Sequence, residues 1–412
     1  MEANKIQLNA IKQVLLSNEM KYVIATILKF VFSLLNNRYE RNRRLCVNLI
    51  AFAIVSLFGY GLKQLGVLIL MYMGNLALLM LIRLYVYNRR YVYVLSSFIL
   101  VINVCLMIVY QIFLEEYFVD SKLFSINSEF NFLSIKGAWV LLEFDKKRHD
   151  FIDVLNYYFF IPGFMTGPNY SFNTYLQANV SDINIRWRIL KALTTTWMCG
   201  ILHLISTFIN FKDLIRNSES LLKLLVILVI FGFFIRTKYY FVWLNSHACM
   251  LCYNIDRLNV RISKIEKPTS IRFISQNWNI SYNLYFKEFI FKPMFLLSNN
   301  KTTSAFTCYG VSALFHSIMP FDIVFFLLCA VISYYQPLIE TDTYFDILTT
   351  ILFIIIISPF KSLEDVRFCF KYIFMKSLMF LTSYLLFCGF VKKYQIKTRL
   401  ISFYNKLIIR KE

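Results

Sequence analysis

The sequence predicts an all-α fold, a multi-pass transmembrane helical bundle of about eleven membrane segments, some of them broken or re-entrant. Three observations lead there. Of the 412 residues, 58% are hydrophobic and only 17% are charged, too few charges to cover that much apolar surface in water. The apolar residues run in blocks. Within those blocks, polar and apolar positions do not alternate. Lipid satisfies no backbone N–H or C=O, so a spanning segment is a helix or a strand of a closed barrel. Barrel strands alternate, and these blocks do not, so they are helices.

Taken in order, Gly66 to Ile82 is interrupted only by Asn75, and Tyr91 to Leu114 carries no charge. Ala192 to Phe211 is uncharged and contains His203. Thr302 to Ile339 carries one charge, Asp322, and one histidine, His316. A hydrocarbon core of ~30 Å takes about 20 helical residues to cross, so each block can span and the last can span twice. Candidate segments centre near residues 27, 52, 74, 102, 160, 201, 228, 245, 310, 329, 353 and 382. Met1 to Met20 is polar and mildly amphipathic without an apolar core, so the first spanning helix is expected to act as the insertion signal.

The net charge is +20, from 44 basic and 24 acidic residues. The bases lie between apolar blocks, which assigns them to membrane-facing loops and argues against a nucleic-acid partner. Arg38, Arg41, Arg43 and Arg44 follow the first segment, Arg89 and Arg90 the third, and Lys146, Lys147 and Arg148 precede the fifth. Such clusters face the cytosol. The longest polar interruption, Asp256 to Asn279, holds Arg257, Arg261, Lys264, Lys267 and Arg272. It reads as a solvated cytosolic loop, and equally as a carrier for an anionic cosubstrate. No repeat, low-complexity tract or separate soluble domain is visible. Residues 1–412 therefore read as one integral-membrane domain.

Nine cysteines are scattered along the chain, mostly inside apolar blocks, where cysteine acts as a small hydrophobe. Cys249 and Cys252 form a C-x-x-C with no second pair or histidine couple, so no metal site is expected.

Four places carry possible chemistry. His316 lies in an uncharged stretch, where an imidazole is suited to take a proton from a hydroxyl, or else is hydrogen-bonded between helices for packing. His203 also lies in an apolar block and reads as structural. Trp278-Asn279 closes the basic loop. The Asn279 amide either caps the following aromatic run or donates to a developing oxyanion. Pro162-Gly163 and Gly167-Pro168 stand too close together for a regular helix, so their segment breaks at a place covered by protein or lining a cavity.

These residues together resemble the membrane-bound O-acyltransferase (MBOAT) family, most closely its lysophospholipid acyltransferase branch. Phe160 to Pro168, continuing to Phe172 and Tyr175, is similar to F-P-x-x-x-x-G-P-x-x-x-F-x-x-Y. Arg236-Thr237-Lys238-Tyr239-Tyr240-Phe241-Val242-Trp243 is similar to R-x-K-Y-Y-x-x-W. Asn259-Val260 and Trp278-Asn279 resemble N-V … W-N, and Tyr285 to Phe291 resembles the W-L-R-x-Y-V-Y that follows it. Ser312 to His316 resembles S-A-x-W-H. Each motif alone is weak. Their order, and the spacing from Asn279 to His316, are the family's. The catalytic core would be residues 125–330. The sequence departs from the pattern at Ser317, which replaces a glycine, at Tyr285, and at His247, where an acidic residue is expected.

The resemblance implies an MBOAT-like fold and an enzyme of the endoplasmic reticulum membrane that moves a fatty acyl chain from acyl-CoA, a cosubstrate rather than a bound cofactor, to a lysophospholipid hydroxyl. His316 would be the general base, and Asn279 would hold the thioester or its oxyanion. Trp278, Lys238, Tyr239, Tyr240, Trp243, Gly167, Pro168, Phe172, Tyr175 and Arg261 would bind substrate. The tunnel for acyl chain and lysolipid would be lined by the broken segment and by Tyr239, Tyr240 and Trp243. Arg257, Arg261, Lys264, Lys267 and Lys238 would meet the CoA phosphates. A protein serine, a sterol or a diacylglycerol as acceptor is the alternative within the family, and a non-enzymatic transporter or receptor is the alternative outside it.

Overall fold

A computed structural model describes residues 18–36, 40–85, 91–110, 112, 127–165, 167–177, 185–218, 220–316 and 320–336. The candidate segments near 353 and 382, the cysteines at 369 and 388, and Arg38, Arg89 and Arg90 lie outside these residues. The regular structure among the described residues is entirely helical. Among the described residues, five helices are long and apolar enough to cross a membrane: Arg41–Tyr60, Leu62–Ile82, Val92–Val109, Ile185–Thr207 and Val226–Leu251. Two shorter apolar helices, Val23–Asn36 and Phe325–Tyr334, fall at further candidate centres.

Two expectations change. The separate centres at 228 and 245 belong to one helix, Leu221–Leu251. Arg236 sits inside it without ending it, because its guanidinium is paired. Nε and Nη2 donate to the two oxygens of Glu266 at 2.9 and 2.7 Å. The centre near 160 is not a spanning helix. A short helix, Phe151–Tyr158, gives way to a 3-10 turn, Ile161–Gly163.

The chain divides into two compact units. The first comprises the described residues of Met1–Ile201, Lys238–Arg261 and Trp278–Asn299. Here α1 (Asn18–Asn36) packs on α2 (Arg41–Tyr60), α2 on α3 (Leu62–Tyr85), and α4 (Val92–Val109) on α5 (Asn127–Glu143). Gly61 separates α2 from α3. Its φ of 87° is a left-handed conformation that glycine adopts without a side-chain penalty. Asn75, the polar interruption of the second block, exchanges amide bonds with Asn103 of α4 at 3.2 and 3.0 Å. Such pairs tie helices together where apolar faces gain nothing from leaving lipid. Asn36, Asn48 and Asn156 form a similar chain joining α1, α2 and α6 (Phe151–Tyr158). Arg41 pairs with Asp150 and Asp153, which ties the start of α2 to the start of α6.

The second unit comprises the described residues of Leu202–Thr237, Ile262–Asn277 and Asn300–Glu412. Its core gathers Ile215, Leu228, Ile271, Cys329 and Ile332. Two of its helices, Lys301–His316 and Pro320–Tyr335, form an antiparallel pair. Tyr309 Oη and Ser333 Oγ are 2.7 Å apart, and seven residues on in one helix and seven back in the other, His316 stacks on Phe326.

Candidate active site

The site is built outward from Asn259. The first long helix of the motif region, Leu221–Leu251, ends in a turn closed by the Ile255 N–H on the Met250 carbonyl at 3.1 Å. The chain then buries Asn259 and Val260. Asn259 makes three bonds to the segment that opens at Asn279. Its main-chain carbonyl accepts from Ile280 N–H at 2.9 Å, its Oδ1 accepts from Ser281 N–H at 2.9 Å, and its Nδ2 donates to Asn279 Oδ1 at 3.1 Å. The two halves of the N-V … W-N pattern are therefore one structure. The amide of Asn279 does not cap its own helix, Ile280–Phe286, because its left-handed backbone, φ 48° and ψ 56°, turns it elsewhere. Asn259 supplies that cap from across the loop. With Oδ1 of Asn279 engaged by Asn259, its Nδ2 is the end of the amide suited to donate to a substrate oxygen.

Trp278 places its indole among three aromatic rings of the long helix. Centroid distances are 4.8 Å to Trp243, 5.5 Å to Tyr239 and 6.0 Å to Tyr240, all edge-to-face. Positions 239, 240 and 243 share one side of a helix, which is why the R-x-K-Y-Y-x-x-W spacing builds this cluster. Tyr240 and Trp243 are buried, whereas Tyr239 and Lys238 are exposed.

The Pro/Gly stretch breaks the helix as expected. The run from Phe160 to Tyr170 is buried at every described position, Met165 and Gly167 take φ of 70° and 68°, and the Gly167–Pro168 peptide is cis. Beyond it, Phe172 is fully buried against Tyr157 and His149, and Tyr175 packs on Phe160 at 5.0 Å. Glu143 fixes the start of the short helix Phe172–Leu176 by accepting the Asn173 N–H at 2.7 Å. Burial raises its carboxyl above the usual carboxylate range, with that bond working the other way. Tyr170 Oη donates to the Leu258 carbonyl at 2.8 Å, so the break is tied to the residue before Asn259. A narrow cleft beside the break is lined by Tyr157, Pro168, Asn169, Tyr170 and Ser171. It has room for about one water molecule, far less than the acyl tunnel expected there.

The motif residues from Phe160 to Phe291 thus lie inside the first unit, apart from Arg236 and Thr237. The last stretch, Ser312 to His316, belongs to the second unit. His316 is the last residue of its helix, and its ring is exposed rather than buried, with one face covered by Phe326. A side chain at a helix end lacks the enclosure given to Ala313, one turn earlier. The basic loop divides as well. Arg257 and Arg261 fall in the first unit, Lys264 and Lys267 in the second, and all four are exposed. Cys249 and Cys252 are buried thiols, one in the helix and one in the turn after it, that donate to Asn245 Oδ1 and the Ala248 carbonyl.

His247, found where the pattern has an acidic residue, has one in its partner. Its Nε2 lies 2.8 Å from Asp256 Oδ1, and Arg188 pairs with the same carboxylate. Residues that sequence reasoning missed also surround the break. Glu129 accepts from Tyr60 Oη, Tyr72 Oη and the Met165 N–H at 3.0, 2.9 and 2.9 Å. Lys29 donates to the Phe164 carbonyl and Ser246 Oγ, and Lys136 to the Tyr158 carbonyl. The available signal was two ionisable residues seven apart in α5 and a lysine inside the first apolar block.

No curated protein matches the chain. A family model, that of the membrane-bound O-acyltransferase family, matches residues 49–341, which contain all of the motif stretches. The chain belongs to the membrane-bound O-acyltransferase family, and with it to the multi-pass helical membrane acyltransferases.

Proposed function

We propose that the chain is an acyl-CoA:lysophospholipid O-acyltransferase of the endoplasmic reticulum membrane, acting in phospholipid remodelling. The observation that carries this reading is the bond from Asn259 to Asn279. It makes a working unit of the N-V … W-N stretches, whose pattern, with R-x-K-Y-Y, points to the lysophospholipid branch.

In this reading His316 takes the proton from the lysolipid hydroxyl as its oxygen attacks the thioester carbonyl. The Asn279 Nδ2 donates to the oxygen that gains negative charge. The tetrahedral adduct then collapses, the C–S bond breaks, and CoA leaves with the proton held on His316. Arg257 and Arg261 meet CoA phosphates. The aromatic cluster around Trp278 covers the acyl chain.

Purified protein in liposomes, given labelled acyl-CoA and one acceptor at a time, tests the proposal. Labelled diacyl phospholipid from a lysophospholipid, with little product from sterol, diacylglycerol or a serine peptide, supports it. Preference for any of those other acceptors rejects the branch while keeping the acyltransferase.

A further inference from the structure

Asp256 is held on both carboxylate oxygens, by groups from two helices. Beyond the helix Leu221–Leu251 the chain reverses at Asn254, whose φ of 59° is left-handed. The Ile255 N–H bonds back to the Met250 carbonyl at 3.1 Å, as in a helix-ending turn. The reversal brings Asp256 to His247, whose Nε2 lies 2.8 Å from Oδ1. His247 is buried, and its Nδ1 has no partner among the described residues. The ring proton therefore belongs on Nε2, where it donates to the carboxylate. Arg188, from the helix Ile185–Thr207, pairs with Oδ2.

The residues that follow are tethered too. The Leu258 carbonyl accepts from Tyr170 Oη at 2.8 Å, and Asn259 makes its three bonds to the Asn279 segment. Arg257 thus stands between two tethered residues, with its own side chain exposed. Arg257 and Arg261 both act electrostatically on Tyr170, so the two guanidinium groups share one neighbourhood. A main chain fixed beforehand lowers the ordering cost when a side chain on it binds an anion.

We propose that Asp256 is a positioning residue which, with His247 and Arg188, fixes the main chain under Arg257 so that its guanidinium is set for a phosphate of acyl-CoA. The inference rests on the proposed use of acyl-CoA, and is independent of the acceptor. Releasing Asp256 frees the chain ahead of the tethers at Leu258 and Asn259. Arg257 then loosens while Asn279 stays in place, so binding of the phosphate-bearing end suffers and the chemical step does not.

The test is steady-state kinetics of the full-length protein in liposomes with a lysophospholipid acceptor. The donors are palmitoyl-CoA and palmitoyl-pantetheine, a thioester without phosphates, and the Kd of free CoA is measured alongside. Asp256→Asn, which loses the pairing with Arg188, and His247→Leu should raise KM for palmitoyl-CoA and the Kd of CoA by about tenfold, the scale of one charge-assisted hydrogen bond. Their kcat, and KM for palmitoyl-pantetheine, should stay close to the wild type. His247→Gln, whose amide nitrogen takes the place of Nε2, should restore KM for palmitoyl-CoA. An unchanged KM and Kd, an equal rise in KM for palmitoyl-pantetheine, or a fall in kcat alone would overturn the proposal. If Asp256→Asn does not fold, His247→Leu and His247→Gln carry the comparison, and equal KM values for the two would overturn it. A wild type that binds no CoA rejects the proposed function, and this inference with it. A wild type that binds CoA without acylating the lysophospholipid rejects only the acceptor, and the Kd values still decide the role of Asp256.

Discussion

Asn259 donates its side-chain N–H to Oδ1 of Asn279, twenty residues away, at 3.1 Å, while holding the next two N–H groups of the Asn279 segment with its own two oxygens. One buried residue therefore caps a helix and orients the amide beside it. The two duties separate by substitution.

Asn259→Asp keeps the acceptor for Ser281 N–H and loses the donation to Asn279. Acyl transfer should fall about a hundredfold, the scale of a reacting group displaced by about 1 Å. Stability should change far less than in Asn259→Ala, which loses the cap as well, about 1–2 kcal/mol. Initial rates and unfolding curves on both variants check this. Parallel losses in rate and stability would mean that Asn259 is only structural.

The tight packing at the break gives a second prediction. A Cβ on Gly163 would lie 2.6 Å from Oδ1 of the buried Asn169 and 3.0 Å from the Pro168 main-chain carbonyl. Gly163→Ala should destabilise by about 1–3 kcal/mol. Gly310→Ala is the control. No atom lies within 4 Å of its Cβ, and in mid-helix alanine is favoured by up to about 1 kcal/mol. Thermal unfolding should move in opposite directions for the two.

A third prediction concerns Arg236, which forks onto Glu266 in a mostly buried pair. Arg236→Lys keeps the charge and loses the planar two-pronged contact. A loss of about 1 kcal/mol or more is expected, and combining it with Glu266→Gln should cost less than the sum of the two. Additive losses would show that the two side chains do not act as a pair.

Much of this architecture is legible in the chain because lipid imposes long apolar helices, and those at 41–60, 62–82 and 92–109 fall on the expected centres near 52, 74 and 102. The break at Phe160 to Pro168 is equally plain, since two prolines and two glycines so close together exclude a helix. The helix Leu221–Leu251 reads as two segments because Arg236 and Lys238 look like a loop, and the partner that lets Arg236 stay inside, Glu266, is thirty residues away. The same limit hides the cap on Ile280, which comes from Asn259, and the duties of Lys29, whose partners are 135 and 217 residues distant. Local pattern shows what a segment becomes, but not which distant atom satisfies it. The exposure of His316 follows from its place at a helix end, where composition alone suggested enclosure.

If Asn279 and His316 carry acyl transfer from acyl-CoA to a lysophospholipid, the initial rate of labelled acyl incorporation in liposomes depends on both side chains. With helical content and unfolding temperature matched to the wild type, Asn279→Ala should be slower by about 10²–10³, and His316→Ala by at least as much. A near-normal rate from either well-folded variant would rule out the pair as the catalytic residues.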